Sequence, residues 1–270
     1  MKRMIFAGVL IVATGAFGLM AQPQGQPAKP PAQGGQAAPG APAQQGPMPK
    51  SQAEQQAVMA LIQAQGNPDA QIKAADELLT KFADTQFKEM ALYMQAVAYE
   101  QKGDGDKAMI YAEKVLEVNP KNFQASLLIG QVLAQKTREN DLDKEEKLGR
   151  AEKLLSGTIE NIKTAPKPNP QLPDQQWEEA KVFITAEAHN GLGMAALTRK
   201  KYDVAIKEFQ AAVSGDPQPA YSVRLASALQ QSGKNAEAVV IVDKLLTDPQ
   251  LHPQIKSVAM SIKTAATPKK

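Results

Sequence analysis

The sequence predicts an all-α protein built from repeated helical hairpins. Three observations carry that prediction. From Ser51 onward, apolar residues recur at helical spacing almost to the end of the chain. Breakers cut this stretch into pieces of helical length, at Gly66-Asn67-Pro68, Gly103-Asp104-Gly105, Asn119-Pro120, Asp216-Pro217, Gly233-Lys234-Asn235 and Asp248-Pro249. No piece alternates apolar and polar residues for long enough to argue a strand.

The first predicted pair of helices spans 53–64 and 68–82, and it is the least regular copy. Phe82-Ala83-Asp84-Thr85 then leads into a helix over 87–101. Within it, Leu92-x-x-Gln95-Ala96-x-x-Tyr99 leads through Gly103 to Ala108-x-x-x-Ala112 and Pro120. Ser126-x-x-Ile129-Gly130-x-x-Leu133 opens another copy, and Ala96 to Gly130 is a step of 34 residues. His189-x-x-Leu192-Gly193-x-x-Ala196 leads through Tyr202 to Ala205-x-x-x-Phe209 and Pro217. Ser222-x-x-Leu225-Ala226-x-x-Leu229 runs through Gly233 to Ala238-x-x-x-Val242, with Pro249 one residue early.

These residues resemble the tetratricopeptide repeat, whose period is 34 residues and whose pattern has the same apolar, small and proline positions. The resemblance covers nearly everything from Ser51 to about Pro253. It implies a solenoid of about five helix pairs over 51–265, wound as a right-handed superhelix. The pattern has a steric rationale. Ala96, Gly130, Gly193 and Ala226 are small where a partner helix crosses, and Ala108, Ala205 and Ala238 are small on the second helix. Tyr99 and Phe209 fill the space between repeats, and Pro120 and Pro217 end the second helices. The joint at Phe82–Thr85 looks like that of bacterial envelope proteins with these repeats.

One copy breaks the period. Gly130 to Gly193 is 63 residues, 29 more than one repeat. The excess is placed at 137–145, in a widened turn, and at 163–174, which carries Pro166, Pro168, Pro170 and Pro173. Asp174 is expected to cap a long helix running through Trp177 to about Leu197. Trp177 either packs onto that lengthened hairpin or anchors a partner. At the end, Leu251, Ile255, Val258, Ala259 and Ile262 form an apolar stripe with Gln254, Lys256 and Lys263 outside, as a capping helix requires. Residues 266–270 are expected to fray.

The N-terminus reads as an address. Lys2 and Arg3 precede a run from Ile5 to Met20 of small or apolar residues, short of the ~20 that span a bilayer. Ala21 then meets Gln22, the pattern of a secretory signal peptide at 1–21. Leu19 is bulkier than such a cleavage site prefers, so an uncleaved membrane anchor is the alternative. With a cut there, the protein is periplasmic or secreted; without it, the array faces the periplasm from the inner membrane. Residues 22–50 are almost wholly Gln, Pro, Ala and Gly, a composition with too little to bury to fold. A tether is the simple reading, a proline-rich ligand for another envelope protein the sharper one.

Composition excludes several functions. The 270 residues contain no Cys and two His, which leaves no thiol chemistry, disulfides or cysteine metal sites. The charge is 31 Lys and Arg against 28 Asp and Glu; without the signal it is 29 against 28, net +1, no footprint for nucleic acid. No cofactor, metal site or catalytic constellation is expected. His189 is read as packed, His252 as a turn cap, and Gly191-x-Gly193 lies inside a helix rather than after a strand. The acidic run Arg138-Glu139-Asn140-Asp141 with Asp143, Glu145 and Glu146 reads as a solvated turn. Met90, Met94, Met109 and Met194 are core or groove fillers before they are a redox device.

The expected function is a non-catalytic scaffold or adaptor of the cell envelope that holds a protein or peptide in the concave groove of the array. By the repeat's usual geometry the inward positions are Met90, Tyr93, Val97, Gln101, Gln124, Leu127, Gln131, Gln135, Asn190, Met194, Val223, Ser227, Gln230 and Gln231. So read, the groove is uncharged and rich in Gln and Met. It lacks the cations that the clamp of some tetratricopeptide domains uses on acidic C-terminal tails. Uncharged or apolar segments, bound with little salt dependence, are the expectation.

Export makes a direct prediction. The mature chain should begin at or near Gln22, checked by intact mass and N-terminal sequencing of the protein recovered from the envelope. Retention of Met1 would establish the anchor instead.

Overall fold

The computed structural model describes residues 46–169 and 171–267. The predicted signal at 1–21 and most of the tail at 22–50 lie outside the described residues. Among the described residues the chain forms eleven α-helices and no strand. They are α1 (Gln52–Gln63), α2 (Pro68–Lys81), α3 (Lys88–Gln101), α4 (Gly105–Val118), α5 (Phe123–Lys136), α6 (Lys144–Thr164), α7 (Asp174–Thr198), α8 (Tyr202–Gly215), α9 (Pro219–Gln231), α10 (Asn235–Leu246) and α11 (Pro253–Ala266). Each helix packs on the next in sequence, while α5 also meets α7 and α9 also meets α11. The odd-numbered helices therefore form one layer and the even-numbered ones the other.

Helix ends follow their local chemistry. Side-chain oxygens of Ser51, Asn67, Asp104 and Asn122 accept from the backbone N–H three residues on, at 3.1, 3.1, 3.1 and 2.8 Å. Three hairpins turn through a glycine in the left-handed region, Gly66, Gly103 and Gly233, with φ of 86, 74 and 83°. The hairpin between α7 and α8 uses Lys200 there, at φ 59°. Asp174 is not a cap. It is the first residue of α7, follows Pro173, and pairs with Lys167 at 2.6 Å.

The small positions sit where the helices touch. Ala96, Ala108, Ala205, Ala226 and Ala238 have no exposed surface. A Cβ on Gly130 would lie 2.6 Å from Leu155 Cγ across the α5–α6 crossing. One on Gly193 would lie 2.6 Å from Cε1 of Phe209 across the α7–α8 crossing. Gly191 approaches the same Leu155 from the other side, where a Cβ would come within 2.8 Å of Cδ1. Phe209 and Leu155 are fully buried. Tyr99 is partly buried and stacks on Tyr111 of α4, ring centroids 5.2 Å apart.

The long step is accommodated differently from the sequence reading. Much of the excess goes into helix: α6 has 21 residues and α7 has 25, against 12 to 14 in the other nine. Trp177, 5% exposed, packs inside the extended hairpin with Leu148, Leu155 and Ile162 in one core cluster. The acids of the widened turn are tied to the end of α7. Arg199 donates to Glu145 at 2.7 Å and to Glu152 at 2.6 Å, and Lys200 pairs with Glu139 at 2.5 Å.

The terminal hairpins differ in kind. In the first copy the buried Glu54 accepts from the Lys50 N–H at 2.6 Å and from the Thr85 hydroxyl at 2.5 Å. This seats the chain before α1 against the α2–α3 joint, where the Lys50 ammonium also meets Asp84 at 2.5 Å. On α11, Leu251, Ala259 and Ile262 are buried as expected and Ile255 is half-buried. Val258 is 48% exposed, so it does not belong to that stripe. It lies about 100° around the helix from Ala259. Ala266, expected to fray, is buried instead.

Gly193→Leu tests the crossing. Its side chain would have to displace the fully buried Phe209 ring, at a cost of about 3 kcal/mol, with loss of hydrogen-exchange protection spreading into α7 and α9. An unchanged melting temperature would show that the crossing lies elsewhere.

Candidate functional site

The groove positions named from the sequence lie on α3, α5, α7 and α9, the layer of first helices. They do not all lie open. Val97, Leu127, Asn190 and Val223 are buried, at 7, 7, 7 and 8% exposure, and form a floor. Tyr93, Gln124, Gln131, Met194, Ser227 and Gln230 are half-buried. Gln101, Gln135 and Gln231 are exposed at helix C-termini, with Gln231 donating to the Ser227 hydroxyl at 3.0 Å. Met90 is half-buried against the core of the first hairpins, beside Ala91 and Met94.

The groove is not uncharged, contrary to the sequence reading. Glu187 of α7 is hydrogen-bonded to Gln131 of α5 and senses Glu100 of α3 and Asp216 at the end of α8. Tyr93 of α3 senses both Glu100 and Glu187. Tyr221 of α9, 4% exposed, senses Glu187, Asp216 and Arg224. Arg224 donates to the Asn190 side-chain oxygen at 2.8 Å. Side chains of α3 and α7 thus share one electrostatic environment although α5 runs between them. That requires a face curved inward.

Glu100, Glu187, Tyr221, Asp216 and Arg224 were missed by a fixed register. Glu187 stands one turn before Asn190, as Met90 stands one turn before Tyr93 and Gln124 before Leu127. Carrying that row on to α7 was the available signal for it. Glu100 lies three residues after Val97, and Arg224 three before Ser227, so both flank the inward rows rather than belong to them.

Burial sets the electrostatics of this face. Loss of water pushes the Glu187 carboxyl up to about 7, reinforced by repulsion from Glu100 and Asp216 and opposed by the Gln131 hydrogen bond. Burial also raises Glu100. The phenols of Tyr93 and Tyr221 are held above their ordinary value, first by burial and then by the neighbouring carboxylates. Arg224 moves the other way, lowered by burial. The face therefore holds two disfavoured carboxylates on its α3 and α7 side and one disfavoured guanidinium on α9.

The remaining candidates resolve structurally. His189 Nδ1 lies 2.7 Å from Glu208 of α8. His252 caps α11 by accepting from the Gln254 N–H at 3.3 Å. Gly191 and Gly193 are packing positions. Among the described residues no group of three or more His, Asp or Glu is placed to hold a metal ion. No helix among the described residues is long and apolar enough to cross a membrane.

Two segments match models of the tetratricopeptide repeat, residues 91–122 and 184–222. The first is α3 with α4 and its following turn; the second takes the C-terminal part of α7, then α8 and the start of α9. The structure resembles a thermophilic tetratricopeptide protein of Thermus thermophilus, at 16% identity and a TM-score of 0.54, covering 77% of this chain and 98% of that one. It also resembles MamA, residues 41 to the end, from Desulfovibrio magneticus RS-1, at 18% identity and a TM-score of 0.53, covering 78% and 97%. No curated protein matches in sequence. The chain is a tetratricopeptide-repeat protein, and its repeats indicate a scaffold for protein–protein contact.

The raised Glu187 yields a stability test. The unfolded carboxyl ionises near 4.5 and the folded one near 7, so stability falls as pH rises from about 4 to 7 and then levels. Glu187→Gln removes this loss. At about 1.4 kcal/mol per unit, it should be more stable than the parent on the order of 3 kcal/mol at pH 8 and equal to it near pH 4, measured by denaturant unfolding. A constant difference across that range would show that the carboxyl is not buried.

Proposed function

We propose that this protein is a non-catalytic adaptor of the bacterial cell envelope, which holds a partner protein or peptide along the inner face of α3, α5, α7 and α9. One observation carries the reading. The even-numbered helices and the capping helix complete the core, while the inner face presents side chains that the core leaves at least half open: Gln101, Gln135 and Gln231 at its edge, Tyr93, Gln131, Met194 and Ser227 within it. An extended or helical segment laid across such a face gains apolar contact from Val97, Leu127 and Val223 and hydrogen bonds from the amides. The mechanism is display on a rigid surface, with no bond made or broken. The envelope assignment rests on the N-terminal residues, Lys2 to Ala21. The rival, an assembly factor tethered by an uncleaved apolar segment, rests on Leu19 and differs in processing rather than in the face used.

The test is affinity capture from envelope extract with the mature protein as bait, the eluate identified by mass spectrometry. Ser227→Trp, which fills the inner face, should lose at least tenfold of the captured partner. Val240→Arg, on the outer face at a residue 70% exposed, should retain it. Equal capture by Ser227→Trp, or loss with Val240→Arg alone, would place the partner elsewhere.

A further inference from the structure

Two observations on the inner face point to a ligand chemistry beyond a generic peptide. Glu100 and Glu187 reach one region from α3 and α7 and repel each other, and among the described residues no lysine or arginine is paired with either. Independently, the Tyr221 side chain is 4% exposed, and among the described residues its hydroxyl has no hydrogen-bond partner. That hydroxyl lies in the field of Glu187, Asp216 and Arg224. A buried phenol is ordinarily satisfied. Here an acceptor oxygen is held ready beside two carboxylates, and Tyr93 brings a second phenol from the opposite helix, close to Glu100 and Glu187. Carboxylates and phenol oxygens are acceptors of the kind that an ammonium or guanidinium group requires when it leaves water.

We propose that the region between Glu100 and Glu187, flanked by Tyr93 and Tyr221, receives the cationic side chain of a lysine or arginine on the partner protein. This rests on the reading of the inner face as a partner-binding surface and specifies its chemistry. The entering cation neutralises the repulsion between Glu100 and Glu187 and gives the Tyr221 oxygen a donor. Gln131 stays in place as the amide that orients Glu187. Arg224 does not compete for the position, because its guanidinium is held by Asn190 at 2.8 Å. Its charge fixes the polarity of the ligand, with the basic residue toward α3 and α7 and neutral or acidic residues toward α9. The salt-independent, uncharged preference expected from the sequence is thereby replaced by a salt-sensitive preference for a basic residue.

Proton linkage gives the site a signature. The groups facing it are Tyr93 and Glu100 from α3, Glu187 from α7, Asp216 from the end of α8, and Tyr221 and Arg224 from α9; α5 contributes the neutral Gln131. A cation binds the ionised form of Glu187, whose carboxyl takes up its proton near pH 7 in the free protein. Affinity should fall about tenfold from pH 8 to pH 6, in step with the ionised fraction. Lysine and arginine stay charged throughout that range.

The experiment uses the full mature protein and an array of decapeptides of Ala, Gln, Leu and Pro with Lys, Arg, Gln or Glu at one central position, followed by fluorescence anisotropy on the best binders. The expected result is at least about a fivefold preference for Lys or Arg over Gln and a larger one over Glu, weakened as salt rises from about 50 to about 500 mM. The tenfold pH dependence should disappear in Glu187→Gln, in which His189, facing Glu208, is unchanged. Tyr221→Phe should weaken Lys peptides and leave Gln peptides unaffected. Peptide binding without a basic preference, or an unaltered preference in Glu187→Gln, overturns the cation site and leaves the inner-face reading standing. Capture of no peptide at all overturns both.

Discussion

Two helices of a hairpin can cross closely only if one of them lacks a side chain at the crossing, and this array depends on that allowance. At Gly130 and Gly193 the missing Cβ is replaced by Leu155 and Phe209 from the partner helix, at separations a Cβ could not share. Leu155 serves twice, since Gly191 of α7 meets it from the next repeat. One leucine thereby fixes α5, α6 and α7 in mutual register. The tyrosine stack, the alanine rows and the buried Trp177 fill space whose dimensions these contacts have already set.

The extended hairpin shows how an array absorbs a longer unit without losing its packing. Extra turns lengthen α6 and α7 together, and the pair still packs against α5 on one side and α8 on the other. The extension carries its own core, with Leu148, Ile162 and Trp177 buried beyond the Gly130–Leu155 crossing. Arg199, with its side chain 8% exposed, closes the open end by pairing with two glutamates, Glu145 and Glu152 of α6. The turns are added before the repeat's own first-helix segment, so Glu187 keeps the place that Met90 and Gln124 hold in earlier copies. A charge thus enters a row of neutral side chains without any change of register.

Desolvated charge on a binding face is costly to the free protein, and repeat architecture offsets it. The small crossings and continuous core clusters along the chain stabilise each hairpin through its neighbours. Glu100, Glu187 and Arg224 can then be held partly out of water without a salt bridge, each disfavoured in its charged form. Such groups bind tightly to whatever restores their solvation, because much of their desolvation precedes the ligand's arrival.

The sequence by itself determined the helical class, the family, the hairpin turns and the small residues at the crossings. All of these follow from spacings within a turn or two, where neighbours along the chain are neighbours in space. Ala96, Gly130, Gly193 and Ala226 were legible for that reason, and so were His252 as a cap and Trp177 as a packing residue. The division of the long step between loop and helix was not legible, because polar helix and polar loop look alike at the outer face of α6. Asp174 as a cap and Val258 in the stripe failed on one-residue phase, which local pattern does not fix. The convergence of Glu100, Glu187 and Tyr221 was decided by tertiary structure alone. These residues come from three helices, and their meeting depends on every crossing angle between α3 and α9, quantities that accumulate along the array and leave no mark at any one position.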